Sequence, residues 1–205
     1  MLNKIIFIIS LLPLVLSAQN ATDVLERVQS KFQSLQNFEA NFIQSADIDS
    51  QNGYSGSEGY FYYKKGNKFR VDLGSMIIVS DGKTLWNYNE SQNRVLINYV
   101  EDDASSFSIE KYIMEYPSRC DVKLLSSDDK TKTYLLQLIP KDLDLEFNSI
   151  KLWINGEDLL NQLELVDLND MTFTVRFQNI KINQKMNDSK FTFTPPKGSQ
   201  IIDLR

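Results

Sequence analysis

Two hydrophobic periods divide this chain. From residue 20 to 36 the apolar positions Val24, Leu25, Val28, Phe32 and Leu35 recur at three and four, while Glu26, Arg27 and Lys31 fall elsewhere on the wheel. That spacing predicts an amphipathic helix, with Thr22 or Asn20 able to cap it. After Asn37 the period drops to two. Phe38, Ala40, Phe42 and Gln44 share one side of a predicted strand, with Glu39, Asn41 and Ile43 on the other. Phe69, Val71 and Leu73 alternate with Arg70 and Asp72 in the same way. Further strands are predicted over 59–65, 76–80, 84–88, 94–99, 120–125, 134–139, 147–154, 162–168, 172–182 and 190–194. Turn residues fall between them: the Gly/Ser/Asn-rich stretch 50–57, then Gly66-Asn67, Asp81-Gly82, Asn155-Gly156 and Asn169-Asp170. Phe107, Ile109, Tyr112, Ile113 and Tyr116 break the alternation with a second helical stripe, which Pro117 ends.

Eleven or twelve strands and two helices, with no linker between them, predict one mainly β (α+β) domain. Its core is a single large antiparallel sheet, twisted and curling toward a barrel, with two helices to cover the apolar concave side. Phe61 and Tyr63 lie on one face of their strand, opposite Tyr60 and Tyr62. Phe173, Val175 and Phe177 likewise face away from Thr172, Thr174, Arg176 and Gln178. Two readings stay open. The rings fill an ordinary core, or they line an apolar cavity, since sheets of more than eight strands leave room inside.

The N-terminus reads as a signal peptide over 1–18. Lys4 supplies the positive start, Ile5 to Leu16 is almost wholly apolar, and Ser17-Ala18 precede a cleavage point at Gln19. The mature domain would be 19–205. An uncleaved anchor is the alternative, although the apolar run falls short of the roughly 20 residues a span needs. A net charge of −5 with scattered basic residues marks no nucleic-acid surface. Cys120 is the single cysteine, expected as a small buried residue, and no intramolecular disulfide can form. Histidine is absent, which removes Ser-His-Asp and Cys-His activation and the commonest zinc sites. Asp102-Asp103, Asp128-Asp129 and Asp142/Asp144 are the remaining carboxylate pairs, and each reads as a solvated turn. No enzyme activity and no cofactor or metal is expected.

Three segments carry a resemblance to a known family. The hairpin Val79-Ser80-Asp81-Gly82-Lys83-Thr84-Leu85-Trp86-Asn87-Tyr88-Asn89 resembles the signature of the LolA family of periplasmic lipoprotein carriers. Phe38-Glu39-Ala40-Asn41-Phe42-Ile43-Gln44 is similar to its F-x-A-x-F-x-Q strand. Lys190-Phe191-Thr192-Phe193-Thr194-Pro195-Pro196-Lys197-Gly198 is similar to its closing F-x-F-x-P-P-x-G. The resemblance implies an unclosed β-barrel capped by helices, acting as a monomer. Such a carrier takes lipoproteins from an inner-membrane ABC transporter of the LolCDE type, hides their acyl chains and releases them at the outer membrane, with an outer-membrane acceptor as a candidate further partner. On that reading Phe38, Phe42, Phe61, Tyr63, Phe69, Val71, Phe173, Val175 and Phe177 line the acyl-chain cavity. Leu25, Val28, Phe32, Ile109, Tyr112 and Ile113 are the lid contacts. Where the family has Arg-Pro, with the arginine bonding the lid backbone, this chain has Lys65-Gly66, so the lid lock falls to Lys65, with Lys64 as its neighbour on the opposite face. The alternatives are a LolA-like domain for another lipid or hydrophobic cargo, a packed adaptor domain, and a secreted carboxylate hydrolase.

Overall fold

The computed structural model describes residues 12–47, 55–101, 109–128, 130–142 and 144–205, with side chains in the first helix from Ala21 onward. Most of the predicted signal peptide, the tip of the 50–57 turn, and Phe107, Asp102, Asp103 and Asp129 lie outside the described residues. Helix α1 (Leu12–Ser34) runs through the predicted cleavage point. It buries Ala21, Val24, Val28 and Phe32, the stripe that the three-four spacing picks out.

Twelve strands follow: β1 (Asn37–Asp47), β2 (Ser55–Lys64), β3 (Lys68–Asp72), β4 (Met76–Asp81), β5 (Thr84–Asn89), β6 (Arg94–Tyr99), β7 (Cys120–Asp128), β8 (Thr133–Pro140), β9 (Phe147–Ile154), β10 (Leu160–Asp167), β11 (Thr172–Ile182) and β12 (Gln200–Asp203). They form one sheet in the order β12-β6-β5-β4-β3-β2-β1-β11-β10-β9-β8-β7. The edge strands β12 and β7 do not meet, so the barrel is unclosed. Neighbours run antiparallel except β12, which pairs parallel to β6 and makes the sheet mixed. The second helical stripe is an irregular segment over 109–119, a π-helical turn (Lys111–Glu115) followed by a 3-10 turn (Tyr116–Arg119) with Pro117 at its start.

Register decides which face each side chain takes. Phe38 pairs with Tyr63, Tyr63 with Phe69, Phe61 with Val71 and Phe42 with Phe177, so all of them project to one side. A bulge between β1 and β11 leaves Asn179 at φ 54°, and that extra residue returns Ile180 and Ile182 to the same side as Phe177. The opposite face has its own buried set. Val79, Trp86 and Ile97 pair across β4, β5 and β6 on the side away from Ser80 and Leu85. Phe191, 1% exposed, belongs to the segment that covers this face, and Phe193 packs on Tyr88 at 5.6 Å. Residues 188–191 therefore form a 3-10 turn and not the start of the predicted strand 190–194, because Phe191 has to turn onto the convex side. Ser55 to Ser57, expected in a turn, extend β2.

The Asp81-Gly82 turn is fixed by its neighbours. Gly82 has φ 98°, and a Cβ on it would sit 2.4 Å from the Gly66 carbonyl oxygen of the β2–β3 turn. Ser80, fully buried, donates to the Asn67 carbonyl at 2.7 Å and accepts from the Gly82 N–H at 3.0 Å, tying the two turns together. Gly74 also has a positive φ, 77°, but with open space around it. Gly74→Ala is expected to cost about 1–3 kcal/mol through φ alone. Gly82→Ala should cost measurably more, as read from thermal or urea unfolding midpoints.

Candidate functional site

The concave side is filled in two different ways. Across β7 to β10 it is aliphatic: Leu136, Leu138, Ile150 and Leu152 have no measurable exposure, and α1 lies over this half. Across β11, β1, β2 and β3 it is aromatic. Phe38 sits 5.4 Å from Phe61 and 5.3 Å from Tyr63, Phe61 lies 5.7 Å from Phe177, and Phe32 of α1 caps Tyr63 at 5.2 Å. Three hollows border this half.

One hollow of about 250 Å³ is bounded by Phe61, Tyr63 and Phe69 from the sheet and by Ile109, Glu110 and Glu115 from the covering segment. A smaller one of about 60 Å³ continues beyond Phe61, between Phe42, Val71, Leu73 and Phe177. An open hollow of about 460 Å³ lies outside Tyr63, among Gln33, Lys65, Asn67 and Met114. By contrast, the space under α1 beside Val28 and Leu160 is only about 20 Å³.

The expected lining residues converge, with one at the rim. Phe38, Phe42, Phe61, Tyr63, Phe69, Val71, Val175 and Phe177 are all buried in one cluster. Phe173 shares their face by register but is half-buried and lies outside that cluster. Val28, Phe32, Ile109 and Ile113 are buried in the cover, while Leu25 and Tyr112 are partly buried and pack against the same cluster. Trp86, from the signature hairpin, points to the convex face. The aliphatic floor of β8 to β10 escapes a sequence search for the site because its alternation is that of any half-buried sheet.

Polar groups tie the cover down. Gln29 of α1 donates its side-chain amide to the Ile113 carbonyl at 3.0 Å. Burial, then the charge of Glu110, pushes the Tyr63 hydroxyl pKa well above that of an ordinary phenol. Tyr112 is pushed up to about 12, chiefly by burial. At the far end Tyr116 packs on Phe147 at 5.3 Å, and Arg119 bonds Asp142 at 3.0 Å and Asp144 at 2.6 Å. Lys65 stands in the β2–β3 turn, where its Nζ donates to the Gln33 carbonyl at 3.3 Å, in the last turn of α1. An ammonium suits a helix C-terminus, where carbonyls lack partners. Lys64 takes the opposite face and pairs with Asp188.

Among the described residues, the carboxylates considered for hydrolysis, Asp128, Asp142 and Asp144, have structural partners. Asp128 accepts from the Lys130 N–H at 2.8 Å, and Arg119 holds Asp142 and Asp144. Those contacts lower the Asp128 and Asp144 pKa values, the wrong direction for a general acid. Cys120 is 2% exposed and burial pushes its thiol up.

A half-open sheet with an apolar, partly hollow lining beneath two helical elements is the architecture of a carrier fold. The chain belongs to the LolA family: residues 33–194 match the family described as outer membrane lipoprotein carrier protein LolA. It is 27% identical over 216 residues to an outer-membrane lipoprotein carrier protein of Pasteurella multocida, covering 99% of this chain and 98% of that one. A protein of the same description from Klebsiella pneumoniae is 24% identical over 210 residues, covering 100% of both chains. An uncharacterized protein of Methanocaldococcus jannaschii is 25% identical over 189 residues, 89% of this chain; the chain spans about half of that relative, 54% of its length. In fold, the chain is similar to an uncharacterized conserved protein of Thermus thermophilus, with a TM-score of 0.60 at 16% identity over 90% of this chain and 99% of that one. It is also similar to the Mycobacterium tuberculosis lipoprotein LppX, with a TM-score of 0.51 at 10% identity over 83% and 99%.

Cys120 gives a simple check on the packed end of the cover. A thiol reagent at pH 8 should leave it unmodified in the native protein and label it fully in urea. Rapid native labelling would mean that the 116–119 end opens.

Proposed function

We propose that this protein is a periplasmic carrier that shields the acyl chains of lipoproteins. The observation that supports it most is the hollow of about 250 Å³ between Phe61, Phe69 and Ile109, whose sheet wall is aromatic and whose rim carries Glu101, Glu110, Lys111 and Glu115, in a chain of this family. Each methylene removed from water is worth about 0.8 kcal/mol, so a long acyl chain needs such a cover to cross an aqueous compartment. The nine lining residues named from the sequence are the binding surface, with Phe173 at its rim. Leu25, Val28, Phe32, Ile109, Tyr112 and Ile113 form the lid. Lys65 holds it closed through the Gln33 carbonyl, a solvent-facing contact that yields readily, as release requires.

Residues 1–18 direct export as a cleavable signal peptide. Cargo arrives from an inner-membrane ABC transporter of the LolCDE type and leaves to an outer-membrane acceptor. The work is binding and release, which calls for no catalytic group, cofactor or metal.

Fluorescence titration with cis-parinaric acid, an acyl probe that brightens in apolar surroundings, tests this reading. Saturable binding is expected, and Phe69→Glu should weaken it about tenfold or more by placing an unpaired charge in the lining. Far-UV circular dichroism of the variant checks that it folds. The absence of saturable binding to the parental protein would contradict the carrier reading. Mass spectrometry of lipid that co-purifies would separate lipoprotein acyl chains from another lipid cargo.

A further inference from the structure

A polar side chain lies on the flank of the buried stripe of α1. Gln29 stands four residues after Leu25 and three before Phe32, so it shares their side of the helix, and it is half-buried where Glu26 and Ser30 are exposed. A half-buried amide there costs stability unless it finds a partner. Its partner is the Ile113 carbonyl, at 3.0 Å, in the π-helical turn Lys111–Glu115 that α1 packs against.

The sequence shows why that carbonyl is available. In a regular helix the Ile113 carbonyl would accept from the N–H four residues on, and that residue is Pro117, which has none. The chain then tightens into the 3-10 turn Tyr116–Arg119, where the Cys120 N–H closes back on the Pro117 carbonyl. Gln29 thus supplies from α1 the donor that Pro117 withholds.

Lys65 meets α1 one turn further on. Its Nζ donates to the Gln33 carbonyl at 3.3 Å, and among the described residues it makes no hydrogen bond to 109–119. The lid lock named from the family resemblance therefore grips α1 and not the segment beside it. The two contacts stand in series: the β2–β3 turn holds α1 through Lys65, and α1 holds the segment through Gln29.

We propose that Gln29 is a positioning residue that fixes the 109–119 segment to α1, and that Lys65 acts on this segment by way of it. The proposal rests on the carrier reading and adds to it a residue and an order of connection. Loss of the Gln29 bond uncouples the segment from the lysine. Arg119, bonded to Asp142 and Asp144, holds the far end throughout, so the stretch set free is 111–116.

Amide exchange across 111–116, followed by mass spectrometry, tests the connection. Gln29→Leu removes the donor and keeps the bulk. Exchange there should quicken about fivefold, the scale of one hydrogen bond, with β8 and β9 unchanged. Gln29→Lys, which restores a donor, should return to the parental rate, as a purely packing role for Gln29 would not allow. Lys65→Met should quicken exchange across 111–116 in the parent and add nothing in the Gln29→Leu background. Gln29→Glu, shaped like glutamine but without a donor when ionised, takes the place of Gln29→Leu should that variant not fold. Parental exchange in Gln29→Leu, equal acceleration in Gln29→Lys, or a Lys65→Met effect of the same size in both backgrounds would overturn the proposal. Failure of the carrier reading looks different: the parental protein would give no saturable cis-parinaric acid fluorescence, while the exchange pattern would still establish the tie between α1 and the segment.

Discussion

One constraint governs this molecule: a twelve-stranded open sheet has to keep its concave face from water, and among the described residues one helix and one short irregular segment lie over it. The face is filled unevenly. Where α1 lies, branched aliphatics from β8, β9 and β10 pack to negligible exposure and make a solid core. Where Ile109 and Glu110 face the rings of β2 and β3, hollows remain. The same sheet thus has a close-packed half and a half with hollows, and on the proposed reading the hollowed half takes the guest.

The hollowed half depends on the other face being secure. Val79, Val95 and Ile97 are covered from the convex side by the segment carrying Phe191, and β12 extends the sheet beyond β6. Asp188 pairs with Lys64 and Lys68, and Lys190 stands 3.7 Å over the Tyr62 ring. These contacts brace β2 and β3 from behind at the strands whose inward faces carry Tyr63, Phe61 and Phe69. The turn pair locked by Ser80 and Gly82 fixes the same corner. On the proposed reading this corner is the fixed wall beneath the lid.

Much of this was legible in the sequence because the relevant signals are local. The two-residue period assigned Phe38, Phe42, Phe61, Tyr63, Phe69 and Val71 to one face, and the three-four period assigned Val28 and Phe32 to the buried stripe of α1. What escaped depends on contacts distant in sequence. Phe191 alternates with Phe193 as a strand would, yet it turns into a 3-10 helix because the convex face needs a cover. β12 is four residues long and pairs in parallel with a strand a hundred residues earlier, which no local pattern announces. Trp86 could not be given a side until register placed it beside Val79. Phe173 obeys the period but stands near the end of its strand, where it is half-buried among the described residues. The hollows themselves are a property of packing, and no sequence pattern distinguishes rings that fill a space from rings that fail to.

Xenon-pressurised crystals measure that distinction directly, because the gas occupies apolar hollows and is excluded from close-packed cores. Ordered xenon is predicted between Phe61, Phe69 and Ile109, with none between Leu138 and Leu152 under α1. An aromatic half as free of xenon as the aliphatic half would contradict the account.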